Sequence, residues 1–190
     1  MHTCTTSDFF LPEADIWRDE AWEIIRSRPD LTFIIATKRP ERIAGHLPTD
    51  WIDQGYRYRA VGYKNVIIAC SVESQYTADL RLKHFLPLPI PHKVIIVSPM
   101  LGPVHIAKYL SSGRIESVTC RGETGAQARL CDFSWVLDLM LDCVACGVPF
   151  RFERTGSNFR KGERIYSISE EDQVAQAEKA EINYGEVIAV

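Results

Sequence analysis

Six short polar clusters in this chain each follow an apolar run: Thr6-Ser7-Asp8, Thr37-Lys38-Arg39, Ser71-Val72-Glu73, Ser98-Pro99, Arg121-Gly122-Glu123-Thr124-Gly125 and Glu153-Arg154-Thr155-Gly156. If the apolar runs are strands lying side by side, Asp8, Lys38, Glu73 and Glu123 reach one shared mouth. That mixture suits general acid–base work or the gripping of a polar ligand. Lys38 or Arg39 can hold a carboxylate or a phosphate. Two glycines in Arg121-Gly122-Glu123-Thr124-Gly125 let backbone N–H groups approach an anion, although the string is neither a P-loop nor a dinucleotide fingerprint. The candidate ligand-binding set is Ser7, Asp8, Lys38, Arg39, Ser71, Glu73, Gly122, Glu123 and Thr155. The same charges serve equally well as ion pairs closing a sheet rim, and no catalytic residue is assigned.

The thiols and imidazoles add little chemistry. Cys4, Cys70 and Cys120 each fall near a strand's carboxyl end, so they either approach one another around a metal or pack as small apolar groups. Packing is favoured, and no metal ligand is assigned. Cys143 and Cys146 have redox-pair spacing, but they close an expected helix, whereas a reactive pair opens one. The histidines form no zinc-protease motif, and no nucleophile elbow is present.

Positioning these clusters requires alternating strands and helices. Strands are expected at residues 2–7, 32–37, 66–72, 93–98, 115–120 and 149–153, and four of them are near-continuous apolar runs of the kind buried on both faces of a parallel sheet. A first helix is expected to bury Ala14, Trp17, Ala21, Ile24 and Ile25. A second carries Ala78, Leu82 and Phe85 on one face, with Asp79 and Lys83 as a surface pair. The longest helix is expected to begin at Asp132 as N-cap and to stop at Gly147, and short helices are expected at 39–45 and 104–110. Right-handed crossovers then give either an open doubly wound sheet or a section of a (β/α) barrel, and connections of similar length favour the partial barrel. Residues 1–156 form it; residues 157–190 add a hairpin around Lys161-Gly162 and a helical tail capped by Ser169.

Residues 51–65 depart from the scheme. Their arginines and lysine interleave with Tyr56, Tyr58 and Tyr63, which suits either base stacking or an ordinary polar turn. The turn is favoured, because 22 Lys and Arg against 25 Asp and Glu give a net charge of −3 and no broad attraction to nucleic acid. A hydrophobic fraction of 46% beside 25% charged residues excludes a disordered chain or a coiled coil. Nothing approaches a membrane span, and the start has no signal-like pattern, so six cysteines are expected to stay reduced in a cytoplasm.

Six motifs, in order, carry a resemblance: Thr5 to Phe10, Thr37 to Arg42, Ser71 to Glu73, Pro99 to Val104, Gly122 to Gly125 with Ala128-Arg129, and Val148 to Phe150 with Thr155-Gly156. The ending, from Gln176-Ala177 to Ile182-Asn183-Tyr184, agrees as well. The sequence is similar to a phage-associated, uncharacterised family catalogued as domain of unknown function 5131, which resembles the radical-SAM superfamily. The resemblance implies a radical-SAM- and TIM-barrel-like partial barrel of about six parallel strands. It also implies S-adenosylmethionine cleaved by a [4Fe–4S] cluster held on three thiolates. No short three-cysteine motif occurs here, so the resemblance implies an N-terminally incomplete member that holds neither cluster nor S-adenosylmethionine on its own. Asp8, Lys38, Arg39, Glu73 and Glu123 would line its pocket. The sequence departs from the family at Ser98, where an acid is usual, at Arg121, where a glycine is usual, and at Glu153, where a base is expected. The alternative is a non-redox barrel that takes a phosphorylated or nucleic-acid ligand through Lys38, Arg39, Arg121 and the tyrosine-rich segment, or a non-catalytic fragment. An exposed barrel edge would favour a homodimer.

Overall fold

The computed structural model describes residues 1–4, 6–51 and 62–188. Its strands are β1 (His2–Thr3), β2 (Phe33–Thr37), β3 (Val66–Val72), β4 (His92–Val97), β5 (Ser117–Arg121), β6 (Leu130–Asp132), β7 (Phe150–Arg154), β8 (Asn158–Lys161) and β9 (Arg164–Ser167). The helices are α1 (Asp15–Ser27), α2 (Pro40–Ile43), α3 (Gln75–Phe85), α4 (Ala107–Leu110), α5 (Phe133–Ala145) and α6 (Gln173–Glu178). Six strands form a parallel sheet in the order β1-β2-β3-β4-β5-β7, so each new strand is added at the same edge. A doubly wound sheet would reverse direction at some point. This one does not, and it does not close: among the described residues β1 and β7 share no ladder. The architecture is an open, mixed α/β sheet.

Both faces of the sheet are apolar, as the unbroken runs require. Ile35, Ile68, Cys70, Val72, Ile95, Val97, Val118 and Cys120 point into the main core with Ala78, Leu82 and Phe85 of α3 and Val136, Leu139 and Cys143 of α5. The alternate residues Ile34, Ile67, Ala69, Val94 and Ile96 form a second cluster on the opposite face, as the two-residue period of a strand dictates. Ile188 packs against that cluster. The chain reaches it by an antiparallel bridge in which Tyr184 and Phe150 exchange N–H···O bonds of 2.7 and 2.9 Å. Tyr184 therefore bridges to edge strand β7, and Ile188 covers part of the sheet's inner face, the one opposite α3 and α5.

Several local expectations are corrected. β1 is two residues long, because Cys4 turns to φ 53° and its carbonyl accepts the Ser7 N–H at 3.1 Å. α1 buries Arg18, Trp22 and Ile25, while Trp17 and Ile24 are 64% and 55% exposed. Arg18 tolerates burial because its guanidinium donates to Phe9 O, Leu11 O and Asp15, and it lies over the Phe10 ring. Asp79 does not pair with Lys83; it bridges to α4 by accepting from Tyr109 Oη at 2.7 Å and pairing with Lys108 at 2.9 Å. The tail helix starts at Gln173 with no side-chain cap, since the Ser169 hydroxyl is turned to Asp172. The short strand β6, absent from the sequence expectations, pairs with β8 in a second, three-stranded sheet β6-β8-β9.

Other elements follow the expected chemistry. Asp132 caps α5 by accepting the Ser134 N–H at 2.8 Å, and Gly147 at φ 67° ends it. The β8–β9 hairpin turns at Gly162. Of the tyrosine-rich segment, residues 52–61 lie outside the described residues. Tyr63 is part of an aromatic group with Trp51 and Trp22 and donates to Asp50 at 2.7 Å. Among the described residues no helix is long and apolar enough to cross a membrane.

Candidate functional site

At the carboxyl end of the sheet, the loops after β1, β2 and β3 surround a cleft of about 430 Å³. Its walls include Thr6, Ser7, Asp8, Ala36, Thr37, Lys38, Arg39 and Ser71. Asp8 organises it. The nearly buried carboxylate accepts from Phe10 N at 2.9 Å, Thr37 Oγ1 at 2.8 Å, Lys38 N at 2.8 Å and Arg39 Nη1 at 3.1 Å. Both oxygens are engaged, so Asp8 holds two loops together. Thr37 extends the network by accepting Arg39 N at 2.9 Å.

Glu73 forms the second node. Lys38 Nζ lies 2.7 Å from one of its carboxylate oxygens and Arg81 Nη1 2.7 Å from the other. Arg81 reaches up from α3 and also donates to Ser71 O at 2.7 Å. The geometry is set by helix entry: Ser74 and Thr77 form a reciprocal cap at the start of α3, which fixes the turn directly after Glu73. Ser71 points to the inner face and donates weakly to Ser98 O at 3.4 Å. Ser7 is exposed at the rim. Thus Ser7, Asp8, Lys38, Arg39, Ser71 and Glu73 do come together, as the parallel order of β1, β2 and β3 requires.

The remaining candidates form a separate group at β5 and β7. Gly122 is needed for close approach, since a Cβ there would lie 2.0 Å from Thr155 O, and at Gly156, with φ 79°, a Cβ would lie 2.7 Å from Glu123 O. The backbone bonds Gly122 N to Arg154 O and Ser157 N to Glu123 O stitch these loops together. Thr155 is fully buried and its hydroxyl donates to Gly156 O. Glu123 clamps Arg129, accepting from its Nη2 at 2.6 Å, its Nε at 2.8 Å and its backbone N at 2.7 Å. Those bonds hold the Glu123 carboxyl down at about 2. Arg121 pairs with Glu153 at 2.8 Å, joining the ends of β5 and β7. Gly122, Glu123 and Thr155 build the rim here and lie outside the cleft's walls.

The thiols do not converge on the mouth. Cys70 and Cys120 lie on the helix-facing side of the sheet, and Cys4 is exposed at the end of β1. Burial pushes the Cys70 thiol up to about 12 and Cys120 up as well. Cys120 Sγ rests 3.4 Å from Met100 Sδ, and Cys143 is buried in the core. Among the described residues no group of three His, Cys, Asp or Glu side chains is placed to hold a metal.

Reasoning from sequence missed Arg81. The available signal was its place in the series 78, 81, 82, 85, where a lone arginine interrupts the core-facing stripe of α3. Neither the curated proteins nor the solved structures yield a match to this chain. A family model described as a protein of unknown function matches residues 1–183, and the chain therefore belongs to that family, DUF5131.

Proposed function

We propose that the chain is a ligand-binding open barrel that holds a small phosphorylated molecule at the mouth formed by β1, β2 and β3. One observation carries this reading. Lys38, Arg39 and Arg81 bring three positive charges against the two carboxylates Asp8 and Glu73, and the half-exposed Lys38 stands on the cleft wall. One net positive charge beside an open cleft matches one anionic group. Lys38 can turn from Glu73 to the ligand, because Arg81 keeps Glu73 paired. Arg39, tied to Asp8, supplies a fixed field, and the Ser7 hydroxyl and nearby backbone offer further hydrogen bonds.

The radical-SAM kinship and phage association implied by the resemblance enter this proposal as ancestry of the fold. A [4Fe–4S] cluster would need three convergent thiolates, and the described cysteines do not fit it. The protein is proposed to bind its ligand without redox chemistry on these residues.

Calorimetric titration with ribose 5-phosphate, with ribose as control, tests the reading. Saturable binding of the phosphate ester, at least tenfold weaker in Lys38→Met, is expected. Absent binding, equal binding of ribose, or affinity unchanged by Lys38→Met would overturn it. Anaerobic reconstitution with iron and sulfide is a second test, since a stoichiometric cluster on this chain would overturn the non-redox reading.

A further inference from the structure

A second cavity, of about 490 Å³, lies between the β8–β9 hairpin and α6, away from the mouth described above. It lies within the size range of small-molecule sites, roughly 300–1,000 Å³. Phe133, Phe159 and Tyr166 give it an aromatic lining; Lys161, Lys179 and Gln176 add polar groups. The floor is anchored in the core. Phe159 is buried, stacks on Phe152 at 5.9 Å between centroids and meets Phe133 edge-on at 5.9 Å.

Charge in this cavity is not cancelled as it is at the mouth. Lys38, Arg39, Arg81, Arg121 and Arg129 each have a carboxylate partner within 4 Å. Lys161 and Lys179 have no ion pair among the described residues. Lys161 instead sits 4.8 Å over the Phe133 ring, a weak substitute for a carboxylate. The one acid in the lining, Asp172, accepts from Ser169 Oγ at 2.6 Å. Two ammonium groups and one carboxylate leave an excess positive charge directly beside exposed ring surface.

We infer that this cavity is a binding site for a planar aromatic anion of the nucleoside monophosphate class. The ring lies against Phe133 and Tyr166, and the phosphate draws on Lys161 and Lys179. Stacking on aromatic side chains tolerates any base, because every base has a π-face. An end of a single strand offers the same chemistry, so the test separates it from the free nucleotide.

The experiment is calorimetric titration with AMP and UMP of the whole chain and of its Lys38→Met form, in which the mouth is silenced. Adenosine, inorganic phosphate and a single-stranded hexanucleotide are run beside them. Saturable nucleotide binding that survives Lys38→Met is expected, with adenosine and phosphate each at least tenfold weaker. The surface change Lys161→Met with Lys179→Met is expected to lower nucleotide affinity at least tenfold while leaving the melting temperature unchanged. No binding of either nucleotide, adenosine or phosphate binding as tightly, or affinity indifferent to the two lysines would overturn the assignment. A hexanucleotide bound tenfold more tightly than AMP would overturn the free-nucleotide source. Ribose 5-phosphate binding at the mouth can fail without touching this result.

Discussion

Thr37 Oγ1 donates a 2.8 Å hydrogen bond to Asp8 Oδ1, joining the last residue of β2 to the loop that follows β1. The bond spans 29 residues of sequence and closes one side of the mouth. The same carboxylate receives two backbone N–H groups and one guanidinium, so it shapes the site without offering a proton acceptor of its own.

Removing that carboxylate is expected to be expensive. Asp8→Ala strands Phe10 N, Lys38 N and the Thr37 hydroxyl in a nearly buried setting, and the cost is about 2–5 kcal/mol. Asp8→Asn keeps an acceptor for some of these donors and should lose less. Urea denaturation of the three proteins checks the order, and a loss under about 1 kcal/mol in Asp8→Ala would contradict the staple role.

α1 offers a paired comparison between adjacent residues. Trp17→Ala removes a large side chain that is 64% exposed, so stability should change by no more than about 0.5 kcal/mol. Arg18→Met removes a guanidinium that is 3% exposed and leaves the Phe9 carbonyl without its donor, although Leu11 O keeps the Ala14 N–H at 3.1 Å, at about 1–3 kcal/mol. Thermal melts that rank the two the other way would restore the apolar face expected from sequence.

That comparison shows where the sequence was legible. Strand order and the clustering of Asp8, Lys38 and Glu73 could be anticipated because continuous apolar runs admit few arrangements. The helix faces were harder. Arg18 lies on the stripe 18, 22, 25 and Arg81 on the stripe 78, 81, 82, 85, and both are satisfied by carbonyls and a carboxylate of the segment just before their helix, which folds back over it. A pattern that sorts residues by hydrophobicity places them on the wrong side. Glu123 sits apart from the cleft for a related reason: its partner Arg129 is brought back by a turn whose closure depends on Gly122 and Gly156 lying against each other's loops.

The segment that follows Asn183 makes a further testable contact. Ile188 rests on Ile34, Ile67, Ala69, Val94 and Ile96, the cluster on the sheet's inner face. Ile188→Asp places a charge against that surface and should lower stability by about 1–3 kcal/mol while raising the binding of a hydrophobic dye. Ile188→Val should have little effect on either. Dye binding unchanged in the aspartate variant would mean that the inner face does not depend on this contact.

Lys93 gives a prediction that turns on pH. It is 3% exposed, its ammonium donates to Leu86 O at 2.6 Å and lies 5.8 Å from the Phe85 ring centroid. Burial, aided by the nearby Arg114 charge, lowers its titration to about 8 from an ordinary 10.5. Below that lower value the amine is protonated in folded and unfolded chains alike, and the cost of burying the charge is fully present. Between about 8 and 10.5 the unfolded chain keeps a proton that the folded chain has shed, so Lys93 makes stability rise with pH across this window. Above it the amine is neutral in both states and no further change follows. Lys93→Met should remove this contribution, and at pH 7 it should leave stability equal or raise it by up to about 2 kcal/mol. The Leu86 carbonyl is not orphaned by the change, because Arg114 Nη1 also donates to it at 3.1 Å. Urea titrations of both proteins at pH 7 and pH 9.5 decide the point. If the stability difference between them does not shrink as the pH rises, the buried ammonium is not charged in the folded protein at neutral pH.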